Sequence, residues 1–156
     1  SQRETLDDEQ LQLYINLLAS IMQLSLFEVA KDRRSSVKNR TNLRDEAIEK
    51  IVQSEFYPTP DVIPEQISTV NTKRLYRTVQ GSSTTLGAHL LAVFLLGSES
   101  ELIQLQKSDP AFIDFVADLI RLRGHGNNQQ SDFSQDDIES LKKNVFKAIK
   151  IIAEVF

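Results

Sequence analysis

The spacing of apolar residues near the end of the chain most constrains what this sequence can fold into. From residue 138 onwards, apolar side chains recur at alternating intervals of three and four, at Ile138, Leu141, Val145, Ala148, Ile152 and Val155. This alternation places all of them on one face of an α-helix. Ser134, with Asp137 three residues later, is a signal for the start of that helix. The end of the chain is therefore predicted to be a long amphipathic helix.

A second long helix is predicted at the start of the chain, over residues 7–34. Its core face is formed by Leu11, Ile15, Leu18, Met22 and Leu26, which recur at intervals of three and four. Four further apolar residues are Leu17, Ile21, Leu24 and Val29. We interpret these four as widening the core face, which predicts that several neighbouring helices bury this segment.

Between the two long helices, glycines and prolines separate shorter helical patterns. These patterns cover residues 42–56, 65–80, 84–96, 99–107 and 110–124, and the segment 84–96 is apolar all round, as expected of a buried central helix. Five Gly, four Pro and no Trp argue against a loop-rich or all-β protein. We therefore predict a single all-α domain over residues 1–156, a compact bundle of five to seven helices with long first and last helices. The chain begins with Ser rather than Met, so this domain is compatible with a fragment of a larger protein.

The composition restricts the classes of function. Cysteine is absent, which excludes disulfides and thiolate metal sites, and neither a metal cluster nor a cofactor motif is evident. The net charge of −4 gives no global attraction to nucleic acid, so such binding would need a local basic patch. The first residues are polar rather than a signal peptide, and the longest apolar run, Leu90–Leu96, is too short to span a bilayer. We expect a cytoplasmic protein without a membrane segment or a cofactor.

Residues 121–128 carry the chemistry that points most directly to a function. Two arginines, Arg121 and Arg123, precede His125 at a glycine-flanked helix end. Arginine is a permanent cation with a planar fork of donors, and histidine exchanges a proton near neutral pH. If the two side chains share a face, they suit binding and cleavage of a phosphodiester. Equally, Arg and His at a helix end can simply interact with the last carbonyl groups of that helix.

The last third of the chain, Ala111 to Phe156, resembles the C-terminal half of a HEPN (higher eukaryotes and prokaryotes nucleotide-binding) domain. The resemblance rests on an apolar helix, a polar loop, a final amphipathic helix and the run Leu119-Ile120-Arg121-Leu122-Arg123-Gly124-His125-Gly126-Asn127. It implies a helical domain that binds RNA or cleaves it as a metal-independent endoribonuclease. It also implies a dimer with paired Arg–His motifs facing one cleft, often in a toxin or an antiviral defence system.

The same resemblance implies roles for individual residues. Arg121 or Arg123 would bind the phosphate, His125 would be the general base or acid, and Asn127 would orient the phosphate or the imidazole. The ribose 2′-hydroxyl would be the nucleophile, which makes RNA the substrate. Three residues separate Arg121 from His125, which is shorter than the family spacing, so the motif is a degenerate one.

Two basic clusters are further candidates for RNA binding. The clusters are Lys31, Arg33, Arg34, Lys38 and Arg40 in the first case, and Lys73, Arg74 and Arg77 in the second. Each can neutralise backbone phosphates, and Tyr76 beside the second is available to stack on a base. Basic runs are also ordinary solvated loops and helix faces, and this interpretation stays open.

The alternative to an RNA-directed function is a non-catalytic helical interaction or dimerisation module of a larger defence or regulatory protein. The long first and last helices would then contact a second copy or a helical protein partner. On this interpretation Arg121 or Arg123 pairs with Asp114 or Asp118, which precede them on the same helix. His89, inside the most apolar segment, is predicted to be a hydrogen-bonded core residue.

Overall fold

The computed structural model of the chain is a bundle of α-helices. It describes residues 6–33, 42–124 and 134–156. Within these ranges there are eight α-helices and no β-strand. The helices are α1 (Asp8–Lys31), α2 (Leu43–Gln53), α3 (Glu65–Ser68), α4 (Thr72–Val79), α5 (Leu86–Leu96), α6 (Glu99–Ser108), α7 (Phe112–Gly124) and α8 (Gln135–Val155). The predicted all-α class, with long first and last helices, is confirmed.

The start of α8 shows why local sequence signals place helices well in this chain. The backbone N–H of Asp137 donates to Ser134 Oγ at 3.2 Å, and the Ser134 N–H donates to Asp137 Oδ2 at 2.8 Å. This reciprocal cap satisfies donors that otherwise lack partners at a helix start. The predicted apolar face of α8 is also confirmed at five of its six positions. The buried residues are Ile138, Leu141, Val145, Ala148 and Ile152.

Helix α5 is the centre of the bundle. Every residue from Leu86 to Phe94 is buried, and α5 packs against α1, α2, α3, α4 and α7. Burial on all sides is what an all-round apolar helix requires. The predicted central helix is therefore confirmed, and the segments that precede and follow it are held against the rest of the bundle.

The single helix predicted over residues 65–80 is wrong, because the structure divides this segment into α3 and α4. Asn71 lies between them, and its Oδ1 accepts the backbone N–H groups of Lys73 at 2.9 Å and Arg74 at 3.2 Å. Asparagine is among the best residues for capping a helix start, so it favours a new helix here over continuation of the old one. The break places Arg74 in the first turn of α4.

The two apolar faces of α1 have different environments. The predicted core residues Leu11, Ile15, Leu18, Met22 and Leu26 are buried, and α1 packs against α5, α7 and α8. The prediction that Leu17 and Leu24 widen this face is wrong, since they are 56% and 60% exposed. At 100° per residue they lie on the opposite side of the helix from the core residues.

Among the described residues, α1 is also the one helix long and apolar enough to cross a bilayer by length and composition. It is longer than the run Leu90–Leu96, from which the absence of a membrane segment is predicted. In this structure the inward face of α1 is part of the bundle core, which is the other circumstance in which a long apolar helix occurs.

Candidate nucleic-acid interface

The last turn of α7 carries both arginines of the predicted Arg–His junction. Arg121 and Arg123 are exposed, and α7 ends at Gly124. His125 and Asn127 lie outside the described residues. The predicted pairing of Arg121 with His125 on one face therefore stays a prediction.

Arg121 has a partner on its own helix. Its Nη2 donates to Asp118 Oδ1 at 3.4 Å, which confirms the predicted pairing of these two residues. Both side chains are about half exposed, so the pair is a weak one that a stronger anion can displace. Asp114 has a different role, since its Oδ1 accepts the hydroxyl of Tyr57 at 2.5 Å. Burial and this bond to Asp114 together raise the pKa of Tyr57.

Arg123 connects the end of α7 to two other parts of the bundle. Its Nη1 donates to Gln23 Oε1 on α1 at 3.2 Å. The Nε2 of Gln23 in turn donates to Ser83 Oγ and Thr84 O, each at 3.3 Å, just before α5. Among the described residues Arg123 has no carboxylate partner. A neutral amide therefore positions its charge, and no carboxylate of the described residues neutralises it.

A cavity of about 420 Å³ lies where α4 and α5 begin and α7 ends. Arg74 and Arg123 both line it, together with Gly124 at the end of α7. No carboxylate is among the described residues that line it, so the two guanidinium groups give this lining a positive potential. The sequence identified both arginines as candidates, but only the fold brings them into one cavity.

Two capped helix starts also line this cavity. Asn71 caps α4, and Thr85 caps α5 by accepting the Ala88 N–H at 3.4 Å. The start of an α-helix carries a partial positive charge and favours anions. Asn71 and Thr85 were not among the predicted site residues. Their sequence signal is a polar cap ahead of a helix, which by itself indicates a boundary rather than a site.

Close packing of α5 forms one wall of the cavity. A Cβ at Gly87 would lie 3.0 Å from Val70 Cγ2 and 3.1 Å from the Gln66 carbonyl oxygen. Glycine therefore lets the first turn of α5 approach α3 more closely than other residues would allow. The cavity is consequently bounded by fixed backbone on that side.

His89 lies behind this wall and is fully buried. Its Nε2 accepts the backbone N–H of Thr84 at 3.1 Å, and its ring makes an edge contact with Phe27. Burial lowers the pKa of His89 to about 4, so the imidazole is neutral at physiological pH. The prediction of a hydrogen-bonded core histidine is confirmed, and its bond holds the segment that leads into α5.

The other basic candidates within the described residues do not line this cavity. Lys73 and Arg77 are exposed on α4 beside Arg74, and Lys31 is exposed at the end of α1. Arg34, Lys38 and Arg40 lie outside the described residues, and their predicted role in RNA binding is not tested.

Arg33 has a structural role in the bundle. Its Nη1 and Nη2 donate to the carboxylate of Glu101 at 2.5 and 2.8 Å, and its guanidinium lies over the ring of Phe156. The bond from Arg33 is the main reason that the pKa of Glu101 falls to about 2. This ion pair ties the end of α1 to α6, so RNA binding by Arg33 would have to compete with Glu101.

Within the described parts of the chain, no three His, Asp or Glu side chains are placed to hold a metal ion together. Comparison of the chain with protein-family models, with curated proteins and with solved structures gave no match.

Proposed function

We propose that this chain is an RNA-binding domain that holds a backbone phosphate in the cavity between α4, α5 and α7. The observation that carries the proposal is that Arg74 and Arg123, which are far apart in sequence, line one cavity with no carboxylate among its described lining residues. An arginine fork matches the geometry of phosphate oxygens, and two forks with no carboxylate among the described lining residues favour binding of an anion.

The global charge of the protein supports a local contact rather than a broad electrostatic surface. At a net charge of −4 the whole chain repels a polyanion, so affinity has to come from a few well-placed groups. The helix starts of α4 and α5 add fixed partial charges of the right sign. A cavity of about 420 Å³ is within the usual size range of ligand sites.

The finer form of the proposal is a metal-independent ribonuclease. Gly124 lines the cavity, and His125 is the next residue in the chain, so the proposal puts a phosphate held by Arg123 beside the residue that precedes His125 in sequence. In this reaction the 2′-oxygen of the ribose attacks phosphorus, the bond from phosphorus to the 5′-oxygen breaks, and a cyclic phosphate forms. His125 would take the proton of the 2′-hydroxyl or supply one to the departing 5′-oxygen, with water in the other role, and Arg121 or Arg123 would stabilise the charge on the phosphate oxygens.

Binding is tested by fluorescence anisotropy with a short labelled single-stranded RNA. We expect Arg74→Ala and Arg123→Ala each to weaken binding about tenfold, which is the order of one charge-assisted contact. Each should also reduce the slope of log affinity against log salt by about 0.7, the value for one phosphate contact on a single strand. Lys107→Ala is the matched control, because Lys107 is an exposed cation on α6 that does not line the cavity. Equal losses for all three variants would contradict a specific role for the cavity.

Cleavage is tested separately with the same RNA in the presence of EDTA. The ribonuclease form predicts a cyclic phosphate end, and loss of cleavage in His125→Ala while RNA binding persists. RNA binding without cleavage by the wild-type chain would exclude the ribonuclease form of the proposal and support the RNA-binding form. Absence of RNA binding would exclude both forms of the proposal.

A further inference from the structure

The outward face of α1 is apolar where a helix on the surface of a bundle is normally polar. Leu13, Leu17 and Leu24 are 63%, 56% and 60% exposed and lie on the side of α1 opposite its buried residues. Tyr14 is also exposed, and Ile21 is only partly buried. Several large apolar side chains exposed together on one helix face form the kind of patch that marks interaction sites, so these leucines indicate a partner.

The residues of this face follow a heptad pattern of their own. Leu13, Leu17, Ser20, Leu24 and Phe27 recur at alternating intervals of four and three. This is the spacing of the contact positions of a coiled coil. We call these five residues the outer seam of α1.

The outer seam already contains a hole that could receive a side chain. A cavity of about 320 Å³ is lined by Ser20, Gln23, Leu24 and Phe27, with Ser83 and Arg123 at its side. Residues at these four α1 positions are the set that surrounds a knob in coiled-coil packing. The bonds of Gln23 to Arg123 and Ser83 fix one wall, so the hole exists before any partner arrives.

The seam is complementary to itself when two copies run antiparallel. In one antiparallel register, Leu13 of each copy faces Leu24 of the other and enters the hole beside it. In an antiparallel pair the numbers of two facing residues always have the same sum. The same register therefore places Leu17 opposite Ser20, since 17 and 20 have the same sum as 13 and 24. A large side chain then meets a small one at the centre. A parallel pair would instead place Ser20 against Ser20 and leave a void there.

We propose that α1 is the interface of a two-fold symmetric homodimer, formed by antiparallel packing of the outer seams of two copies of this chain. The exposed leucines and Tyr14 offer on the order of 400 Å² of apolar surface, the scale at which patches mark interaction sites. A standard interface buries about 800 Å² per partner, of which somewhat more than half is apolar. The exposed leucines and Tyr14 together therefore supply the apolar share of one such interface. This inference goes beyond RNA binding and does not depend on it.

The test is the mass of the full chain in solution, measured by sedimentation velocity over a range of concentrations. The wild-type chain should be a dimer, and Leu17→Glu should raise the dimer dissociation constant by about a hundredfold or more, because it buries an unpaired charge. Phe146→Glu is the matched control, since Phe146 is a comparably exposed apolar residue on α8. It should leave the dimer intact.

The register is tested with cysteines, for which this cysteine-free chain offers a clean background. Under mild oxidation the double variant Leu13→Cys/Leu24→Cys should form covalent dimers. Leu13→Cys alone should not, because the two copies of position 13 lie at opposite ends of the seam. Efficient linking by Leu13→Cys alone would overturn the antiparallel register.

Two other results would overturn the homodimer. One is a dimer that Leu17→Glu does not weaken, which would place the contact elsewhere. The other is a wild-type monomer at all concentrations. If that monomer floats with phosphatidylcholine vesicles and Leu17→Glu does not, the occupant of the seam is a membrane. The RNA affinity of Leu17→Glu, measured by anisotropy, shows whether the RNA proposal holds or fails independently of the homodimer.

Discussion

His89 makes the stability of this fold depend on pH in a way that can be calculated. The imidazole is fully buried and accepts the Thr84 N–H at Nε2, so it is held in its neutral form. Its Nδ1 is also buried and has no hydrogen-bond partner within the described residues. Burial lowers the pKa of His89 from 6.5 to about 4. A protonated ring would lose the Thr84 bond, because both of its nitrogens would then be donors.

The sign of the effect follows from which state binds the proton. Between pH 6.5 and 4 the unfolded chain protonates His89 and the folded chain does not, so the free energy of unfolding falls as the pH falls. The full loss in the free energy of unfolding is about 3 kcal/mol, at about 1.4 kcal/mol per pKa unit. About 2 kcal/mol of it is lost by pH 5. Below pH 4 both states are protonated, and His89 contributes no further change.

Urea denaturation at several pH values, followed by circular dichroism, measures this loss. The comparison is with His89→Gln, which keeps a polar group in the site but does not titrate. Carboxylates titrate alike in both proteins, so the difference between the two pH profiles isolates His89. Profiles that run parallel between about pH 6.5 and 5 would refute the argument. The chain has only two histidines, so proton NMR of their ring resonances gives the pKa of His89 directly.

Three further substitutions test other parts of the fold by the same denaturation measurement. Arg33→Met should destabilise the protein by about 1–2 kcal/mol at neutral pH. The difference in the free energy of unfolding between this variant and the wild type should shrink as the pH falls from about 4.5 towards 2. In this range Glu101 becomes protonated and no longer stabilises the folded state through its ion pair. Gly87→Val should cost about 2–3 kcal/mol by forcing side-chain atoms against the Gln66 carbonyl, and an unchanged unfolding midpoint would show that α3 can move to make room. Ser134→Ala should cost about 1 kcal/mol through loss of the α8 cap, and an unchanged unfolding midpoint would contradict that role for the cap.

The parts of the fold that sequence predicts well are those fixed by local signals. For α8 the apolar spacing and the cap at Ser134 agree, and both act within a few residues. The segment 65–80 fails because two local signals conflict. Its apolar spacing favours one helix, and Asn71 favours a new helix start, which prevails. Propensity is a weak guide where a good cap lies inside a periodic segment.

The faces of α1 show a different limit of sequence reasoning. Ile15 and Leu17 are both apolar, so the sequence pattern alone does not say which of them meets the bundle, and in the structure Ile15 is buried while Leu17 is not. The answer depends on the packing of α5, α7 and α8 against one side, which is set by the whole fold. An apolar residue that the sequence assigns to the core can therefore belong to a second contact surface.

The candidate site was identified residue by residue but not as an arrangement. The sequence makes Arg33 and Arg74 candidates as members of basic clusters, and Arg123 a candidate as part of the Arg–His junction. The fold separates them, because Arg33 meets Glu101 and the other two share a cavity that no described carboxylate lines. The distinction depends on contacts between residues far apart in the sequence, which composition and spacing do not contain.

The same chain of contacts connects the stability of the core to the cavity. Thr84 lines the cavity and is held by three groups, the Nε2 of His89, the Nε2 of Gln23 and the hydroxyl of Thr78. Gln23 also positions Arg123, so the neutral histidine and this cavity-lining arginine are linked through two intermediate residues. A site whose donors are fixed in advance loses less entropy when a ligand binds. Protonation of His89 should therefore weaken the hold on Thr84 before it unfolds the bundle, and the cavity is where that loss would first affect binding.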